Sequence, residues 1–169
     1  MSARAHPSFG LRPYLAADAP LVADIFRESI AELTGDDYSP SQQEAWAAAA
    51  DNMEAFEAKL AKALTLVATM DGSSPVGFIV LQGAEQIDML YVHPAVAGQG
   101  IGAMLLDAVE KLAAARGAAR LTADASDTAV PFFEKRGFVA QQRNTVTRGD
   151  EWLANTTMEK KLASKGARP

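Results

Sequence analysis

One strand–loop–helix unit in the middle of the chain constrains the fold more than any other segment. Residues Gln86–Val92 have the pattern of a strand, and a loop with glycines at Gly98, Gly100 and Gly102 follows it. A helix comes next, with apolar residues at helical spacing and a glycine stop, at Ile101, Leu105, Val109, Leu112 and Gly117. A strand that leads into such a helix makes a crossover connection, which is right-handed in nearly all sheets. The unit predicts a sheet with a helix packed on it.

The segments on either side supply further strands and helices. The composition of Asp71–Pro75 indicates a turn between two apolar runs, and predicts an antiparallel hairpin. The other elements follow in chain order: a strand at Phe9–Arg12, a helix from Pro20 to Leu33 with Asp18 as its N-cap, a helix that begins after Ser39 or Ser41 and carries Trp46, a helical piece from Met53 to Leu64, the hairpin strands Leu64–Thr69 and Val76–Gln82, a strand at Leu121–Ala123, a helix at Ala129–Arg136, and strands Phe138–Arg148 and Glu151–Leu162 joined by a turn at Gly149-Asp150. Together they predict an α/β fold with a mixed, mostly antiparallel sheet and flanking helices.

The composition excludes several classes of protein. The 169 residues suit one domain, expected over residues 1–163 with a tail at 164–169. The absence of cysteine excludes disulfides, zinc–thiolate sites and a cysteine nucleophile, and the two histidines, His6 and His93, leave little for a transition-metal site. The net charge of −5 argues against nucleic-acid or anionic-membrane binding. Without an apolar leader or a span of about 20 apolar residues, the expected location is the cytoplasm.

The glycine-rich loop is suited to hold an anion. Glycine allows positive φ and leaves backbone N–H groups open to a ligand, and these groups lie at a helix N-terminus, where the helix dipole favours phosphate. The spacing of Gly98, Gly100 and Gly102 differs from the dinucleotide fingerprint, and no Gly-Lys-Ser/Thr follows, which excludes a Walker loop. A tight turn without a ligand is the alternative, because short glycine patterns match by chance.

Two motifs, in the predicted order of elements, resemble the GCN5-related N-acetyltransferase (GNAT) superfamily. Residues Ala97–Gly102 resemble the family's Arg/Gln-x-x-Gly-x-Gly/Ala loop, with Ala97 in place of the first Arg or Gln. Residues Ser126–Phe138 resemble its Asn-x-x-Ala-x-x-Phe-Tyr-x-x-x-Gly-Phe helix, with Ser126 at the Asn position and Phe133 at the Tyr position. The resemblance covers about residues 8–162.

The resemblance implies transfer of an acetyl group from acetyl-CoA to a primary amine of a small-molecule acceptor, by direct attack in a ternary complex. The β-loop-α crossover would then bind acetyl-CoA, with the glycine loop on the pyrophosphate and with Lys135 or Arg136 supplying the charge that Ala97 lacks. The end of the preceding strand would pair with the pantetheine arm, and the N–H of Tyr91 or Val92 would bind the developing oxyanion. The implied acetyl-CoA-binding residues are Leu90, Tyr91, Val92, Ala97, Gly98, Gln99, Gly100, Ile101, Gly102, Ala103, Ser126 and Phe133.

Two residues are candidates for catalysis. Asp88 is a candidate base, and period-2 alternation predicts that it shares a strand face with Gln86 and Leu90; a solvent-facing carboxylate is the alternative. Tyr38, between the first two helices, could orient the acceptor or donate a proton, and its alternative is an amphipathic anchor. Phe133 cannot donate a proton to the departing thiolate, so either another donor serves or the thiolate leaves toward solvent.

Other residues carry weaker signals. Asp124 could act at the carboxyl end of its strand or cap the following helix, and His93 could be a base or a surface loop residue. Trp46 is expected in the core or in a groove wall. An acceptor pocket formed by Asp36, Asp37, Tyr38 and Trp46 would suit a cationic amine, although a polar turn beside a core tryptophan fits the same residues.

Two other functions stay open at this point. The departures at Ala97, Ser126 and Phe133 fit an acetyl-CoA-binding sensor domain with weak catalysis. A hydrolase that uses Ser126 is the second, although no Gly-x-Ser-x-Gly elbow surrounds that serine. The residues do not identify the acceptor, and they leave the oligomeric state open, including a homodimer.

Overall fold

Seven strands form one sheet in the order β1-β2-β3-β4-β5-β7-β6. The computed structural model describes residues 7–72 and 74–162, so His6 and the tail predicted at 164–169 lie outside the described residues. The strands are β1 (Phe9–Pro13), β2 (Leu64–Met70), β3 (Ser74–Gln82), β4 (Gln86–Val92), β5 (Arg120–Ser126), β6 (Val139–Arg148) and β7 (Glu151–Lys161). Of the described strand pairs, β4–β5 is parallel and the other five are antiparallel. The predicted mixed, mostly antiparallel α/β fold is confirmed.

Helices cover both faces of this sheet. They are α1 (Ala19–Leu33), α2 (Pro40–Ala47), α3 (Met53–Lys62), α4 (Ile101–Ala115) and α5 (Val130–Lys135), with 3-10 turns at Ala16–Asp18, Ala48–Ala50 and Pro94–Val96. Ser39, rather than Ser41, caps α2, because its Oγ accepts from the Gln42 N–H at 3.2 Å while Gln42 Oε1 accepts from the Ser39 N–H at 2.8 Å. Among the helices of the described chain, none is long and apolar enough to cross a membrane.

The sheet separates two hydrophobic cores. Strands β2 and β3 are buried on both faces, and their alternate residues point to opposite sides. On one side, which we call the α4 face, β3 residues such as Ile79 pack with Leu105 of α4. On the other side, the α1 face, Phe78 packs with Phe26 of α1 and Phe56 of α3. The two faces therefore present different helices to any ligand that enters the sheet.

Strand β4 changes direction at a bulge and then leaves its parallel neighbour. In the β3–β4 ladder, Val80 pairs with Met89 and Leu81 pairs with Ile87, so Asp88 is the extra residue. On its other side β4 pairs with β5 at two positions, Gln86 with Thr122 and Ile87 with Ala123. Beyond Ile87, within the described residues, the β5 side of β4 has no strand partner. The sheet thus opens at its centre.

The bulge corrects the prediction that Asp88 shares a face with Leu90. Met89, the next residue, packs on the α1 face, and Asp88 is ion-paired with Lys59 of α3 on that same side. Leu90 packs instead against the α4-face core. An extra residue interrupts period-2 alternation, so two consecutive side chains go to one face. The sequence pattern contains no signal for this interruption.

Asp18 occupies the predicted N-cap position of α1, but its side chain makes no capping hydrogen bond to this helix. Its carboxylate accepts two hydrogen bonds from the Arg12 guanidinium, at 2.7 and 2.8 Å, and a third from the Leu15 N–H at 2.8 Å. It therefore closes the 3-10 turn before α1 and fastens this turn to β1. The bidentate pair also holds the pKa of Asp18 below its usual value, chiefly through the hydrogen bonds from Arg12.

We expect the Asp18→Asn substitution to lower the free energy of unfolding by about 1.5–3 kcal/mol at pH 7, because it removes charge-assisted hydrogen bonds from a buried side chain. The pKa of Asp18 is lower in the folded state than in the unfolded state. The contribution of the pair is thus complete above an unfolded pKa of about 3.9 and is lost as the pH falls through the folded value. Urea unfolding of both proteins at pH 7 and below pH 3 measures this difference.

The matched control is Asp24→Asn. Asp24 lies 3.4 Å from Arg27, and its side chain is 59% exposed. We expect little change in the stability of this variant at either pH, because exposed pairs contribute little. An equal effect of the two substitutions at pH 7, or an Asp18→Asn effect that does not shrink in acid, would contradict the assignment.

Candidate functional site

A cavity of about 210 Å³ lies where β4 and β5 separate. We call it the cleft cavity. Both strands line it, and further walls come from the α1–α2 region, from α5 and from the β6–β7 hairpin. The side chains that matter below are Tyr38, Trp46, Asp88, Tyr91, Asp124, Ser126, Phe133, Arg148 and Asn155. The opening of the sheet thus gathers residues from distant parts of the chain around one volume.

The glycine loop forms the other part of the candidate site. Gly98 and Gly100 have φ values of 79° and 84°, a left-handed conformation that other residues adopt only with strain. Gly100 is the N-cap of α4 and has no side chain to bind the first N–H groups of the helix, so these donors stay available to a ligand. Gly102 instead allows α4 and α5 to pack closely, because a Cβ at this position would lie 3.3 Å from the Phe132 ring of α5.

The predicted donor-binding residues lie in three adjacent places. Leu90, Tyr91 and Val92 form the end of β4, and Ala97 to Ala103 form the loop and the first turn of α4. Ile101 is buried in the α4-face core, so its side chain contributes packing. Ser126 and Phe133 lie on the opposite side of the opening and line the cleft cavity. Phe133 is surrounded by the rings of Phe132 and Phe138, at centroid distances of 5.3 and 5.0 Å.

A second cavity, of about 520 Å³, lies beside the start of α4. Gly100, Ala103, Arg136 and Lys160 are among its lining residues. Of the two bases proposed from the sequence, Arg136 is at this cavity, with its guanidinium 4.2 Å from the centre of the Phe132 ring. Lys160 is held there by Glu110 at 2.9 Å. The cations Arg136 and Lys160 therefore lie near the start of α4, together with the carboxylates of Asp107 and Glu110 that line the same cavity.

Aromatic side chains form the α1-face wall of the cleft cavity. The Trp46 indole N–H donates to the Tyr91 hydroxyl at 3.2 Å, and the Tyr38 and Trp46 rings lie 5.4 Å apart, edge to face. Burial raises the pKa of Tyr91 well above its usual value, so this hydroxyl keeps its proton across the physiological range. Trp46 is therefore a groove wall, one of its two predicted positions.

Tyr38 connects three segments through its hydroxyl. It donates to the Ala154 carbonyl at 2.6 Å and accepts from the Asp127 N–H at 2.9 Å. Burial is the main cause of a raised Tyr38 pKa. The α1–α2 loop is in this way fixed to β7 and to the turn after β5. Tyr38 thus shapes the cavity, and its hydroxyl proton is already donated to the Ala154 carbonyl.

Two carboxylates line the cleft cavity in different environments. Asp88 Oδ2 lies 3.0 Å from Lys59 Nζ, but this buried oxygen has no partner in hydrogen-bond geometry within the described residues. Asp124 Oδ1 accepts a 2.6 Å hydrogen bond from Thr157 on the neighbouring strand. The helix-leading turn is closed by Ser126 instead, whose Oγ accepts from the Ala129 N–H at 3.2 Å. Asp124 is therefore not the cap that one alternative predicted.

Other predicted residues lie elsewhere. Of the proposed acceptor pocket, Tyr38 and Trp46 line the cleft cavity, while Asp36 and Asp37 are not among its described lining residues. Asp37 accepts from the Thr128 hydroxyl at 2.7 Å. His93 accepts from the Ala95 N–H through Nδ1 and pairs with Glu28 through Nε2 at 2.6 Å, so it orders the turn before the glycine loop. The predicted acceptor pocket is therefore confirmed as a shared location for Tyr38 and Trp46, and is wrong for Asp36 and Asp37.

The closing hairpin contributes residues that sequence reasoning missed. Val146, Arg148, Leu153 and Asn155 line the cleft cavity. Register pairs Val146 with Leu153, and alternation places Asn144 and Arg148 on the same face of β6 as Val146. Strand alternation was the available signal for this shared face. It could not show that the face meets the opening between β4 and β5.

Comparison with known proteins agrees with this geometry. The family model of the acetyltransferase (GNAT) domain matches residues 34–162. The uncharacterized N-acetyltransferase YafP of Escherichia coli is 34% identical over 151 residues, which are 89% of this chain and 95% of YafP. A crystal structure from Rhodopseudomonas palustris, described as a GCN5-related N-acetyltransferase (aminotransferase, class-II), has 57% identity and a TM-score of 0.89, with 96% of this chain and 99% of that chain covered.

A more distant structure shows the same fold. The PaiA N-acetyltransferase of Thermoplasma acidophilum, solved in complex with coenzyme A, has a TM-score of 0.76 and 23% identity, with coverage of 92% of this chain and 99% of that chain. The open β4–β5 pair, the glycine loop at the start of α4 and these matches lead to one conclusion. The chain belongs to the GNAT family of N-acetyltransferases, enzymes whose acetyl donor is acetyl-CoA.

Proposed function

We propose that this protein transfers the acetyl group of acetyl-CoA to a primary amine of a small-molecule acceptor, by direct attack in a ternary complex. The observation that carries the proposal is the opening between β4 and β5, which lies between the glycine loop on one face and a cavity with a carboxylate on the other. The α1–α2 loop with the start of α2, and the β6–β7 hairpin, bound the acceptor side and are connected by the Tyr38 and Gln42–Trp152 hydrogen bonds. A cavity of about 210 Å³ favours a small acceptor.

The residues around the opening fit acetyl-CoA in chemical terms. The unpaired edge of β4 offers backbone donors and acceptors to the amides of the pantetheine arm, which can add to a sheet as a short strand does. The N–H groups at Gly98 to Ala103 suit the pyrophosphate. Ala97 supplies no charge, and Arg136 and Lys160 border the adjoining cavity. Ser126 and Phe133 then lie beside the arm.

Asp88 is the proposed base. Its carboxylate lines the cleft cavity on the acceptor side and is positioned by Lys59. In the proposed step, Asp88 takes a proton from the acceptor ammonium, and the neutral nitrogen attacks the thioester carbonyl. The new C–N bond forms, the nitrogen releases its second proton to water, and the C–S bond breaks. The N–H of Tyr91 or Val92 stabilises the oxyanion. Phe133 has no proton to give, so the thiolate, whose pKa is about 8.5 for an ordinary thiol, takes its proton from water.

The hydrolase alternative finds no support at Ser126. Its Oγ accepts a backbone hydrogen bond from Ala129, and no histidine is among the described residues that line the cleft cavity. A serine nucleophile needs an adjacent base to remove its proton. Membership of an acetyltransferase family likewise favours turnover over the sensor alternative.

The glycine loop is tested with Gly100→Ala. The left-handed φ of 84° predicts a loss of about 1–2 kcal/mol in folding stability, and a Cβ beside the start of α4 is expected to obstruct the pyrophosphate. The control is Gly117→Ala, at a φ of 86° past the other end of α4, where the strain is the same and no ligand is proposed. Both variants should melt at lower temperatures than the unmodified protein.

Acetyl-CoA should distinguish the two variants. We expect millimolar acetyl-CoA to raise the melting temperature of the unmodified protein and of Gly117→Ala, and to have little effect on Gly100→Ala. Thermal unfolding with and without the ligand measures this. If both variants gained the same stabilisation, the loop would be only a turn.

Asp88→Asn should reduce the catalytic efficiency with the amine by at least about two orders of magnitude, because a neutral amide cannot accept the proton. Acetyl-CoA binding should not change, since Asp88 lies on the α1 face. Asp124→Asn is the control, a second carboxylate at the same cavity that is already bound to Thr157. Thiol release with an amine panel measures both. If Asp124→Asn lost most of its catalytic efficiency while Asp88→Asn stayed active, Asp124 would be the base and Asp88 would not.

Tyr38→Phe distinguishes a positioning residue from a proton donor. Loss of the hydroxyl leaves the Ala154 carbonyl and the Asp127 N–H without this partner, and we expect about 1–3 kcal/mol of destabilisation and a higher KM for the acceptor. The partly buried Tyr14 supplies the control variant, Tyr14→Phe. If turnover instead slowed by about two orders of magnitude while KM stayed unchanged, Tyr38 would be identified as a catalytic acid.

A further inference from the structure

Arg148 brings a positive charge to the cleft cavity that the proposed reaction does not use. It is the last residue of β6 and lines the cavity together with Val146, Leu153 and Asn155. Its Nη1 donates to the carbonyl of Thr147 at 2.9 Å. Within residues 7–72 and 74–162, Arg148 forms no ion pair, although Glu151 is opposite it in the hairpin register.

The other charged groups around the cavity have partners. Arg143, on the same strand, makes a bidentate pair with Asp127 at 2.9 and 3.1 Å. Lys59 faces Asp88, and Asp124 accepts from Thr157. Arg148 is therefore the cavity-lining cation, in the part of the chain that is described, whose guanidinium is left for a ligand. A guanidinium fork matches the two oxygens of a carboxylate.

Arg148 is an exposed residue that lines the cavity, close enough for its charge to act on Tyr91. It opposes the rise of the Tyr91 pKa that burial causes, because a nearby cation favours the phenolate. Tyr91 lies on the wall that also contains Trp46 and follows Asp88 by three residues on β4. Arg148 comes from the hairpin and Asp88 from the bulge of β4. A cation and an anion from different elements thus border one small volume.

We propose that the acceptor is an amine that also carries a carboxylate, as a free amino acid does, and that Arg148 determines this specificity. The inference rests on the proposed function. The guanidinium binds the carboxylate with two parallel hydrogen bonds, and this contact orients the amino group toward Asp88 and the opening of the sheet. An acceptor whose carboxylate is replaced by a carboxamide loses the charge and leaves Arg148 unpaired, at a cost in transition-state binding.

The test compares each proteinogenic L-amino acid with its own α-carboxamide as acceptor. Thiol release from acetyl-CoA is measured with the unmodified protein, with Arg148→Gln and with Arg148→Lys. We expect the unmodified protein to prefer the best amino acid over its amide by at least about tenfold in catalytic efficiency. Arg148→Gln should reduce this ratio to within about threefold, mainly through the KM of the amino acid, and Arg148→Lys should keep part of it. The KM for acetyl-CoA should not change.

Arg116→Gln is the control, because Arg116 is an exposed cation at the end of α4. It should retain the preference of the unmodified protein. Equal use of acids and amides by the unmodified protein, or a preference that survives in Arg148→Gln, would overturn the inference and leave the proposed function intact. Acetylation of other primary amines but of neither amino acids nor their amides would overturn the inference alone. Acetylation of no primary amine of these acceptors or of the wider amine panel, in a protein that still binds acetyl-CoA, would overturn the proposed function and the inference together.

Discussion

The divergence of β4 from β5 is the constraint on which the rest of the molecule depends. The two strands share only two pairs of residues before they separate, and the bulge at Asp88 lies where the separation begins. Unpaired backbone groups inside a sheet carry a free-energy cost unless a ligand satisfies them. The same separation lets side chains of both sheet faces meet in one cavity. In the proposed function, the donor arm and the acceptor approach from opposite faces.

The two faces of the sheet carry different parts of the candidate site. The α4 face holds the glycine loop, whose backbone N–H groups suit an anionic donor. Gly102 packs against Phe132, and the adjoining cavity is lined by Arg136 and Lys160 as well as by Asp107 and Glu110. On the α1 face, α1 and α3 build a hydrophobic core, and the aromatic wall of Tyr91, Trp46 and Tyr38 rises from that core. The Tyr38 hydroxyl links this wall to β7. The stability of the fold and the shape of the cleft cavity consequently depend on some of the same hydrogen bonds.

The departures from the family pattern have physical counterparts in this chain. Ser126 is shorter than the usual Asn, and its hydroxyl closes the turn that leads into α5. Phe133, in place of a tyrosine, completes an aromatic cluster with Phe132 and Phe138. Around Ala97 the charge of the usual Arg is absent, while Arg136 and Lys160 lie at the neighbouring cavity. The proposed chemistry then relies on backbone groups, and on solvent for the thiolate proton.

The sequence by itself determined the order of the elements, the glycine loop and the family, because turn residues, hydrophobic period and glycine spacing are local properties of the chain. The hairpin of β2 and β3, the crossover into α4 and the closing hairpin follow from these. Only the tertiary structure decided which side chains meet. The bulge places Asp88 on the sheet face opposite Leu90, and Arg12 binds the Asp18 carboxylate, which makes no capping bond to α1. The β6–β7 hairpin brings Arg148 to a cavity lined by β4, which is far from it along the chain. Strand register, ion pairing and long-range packing depend on partners that are distant in sequence, and no local pattern records them.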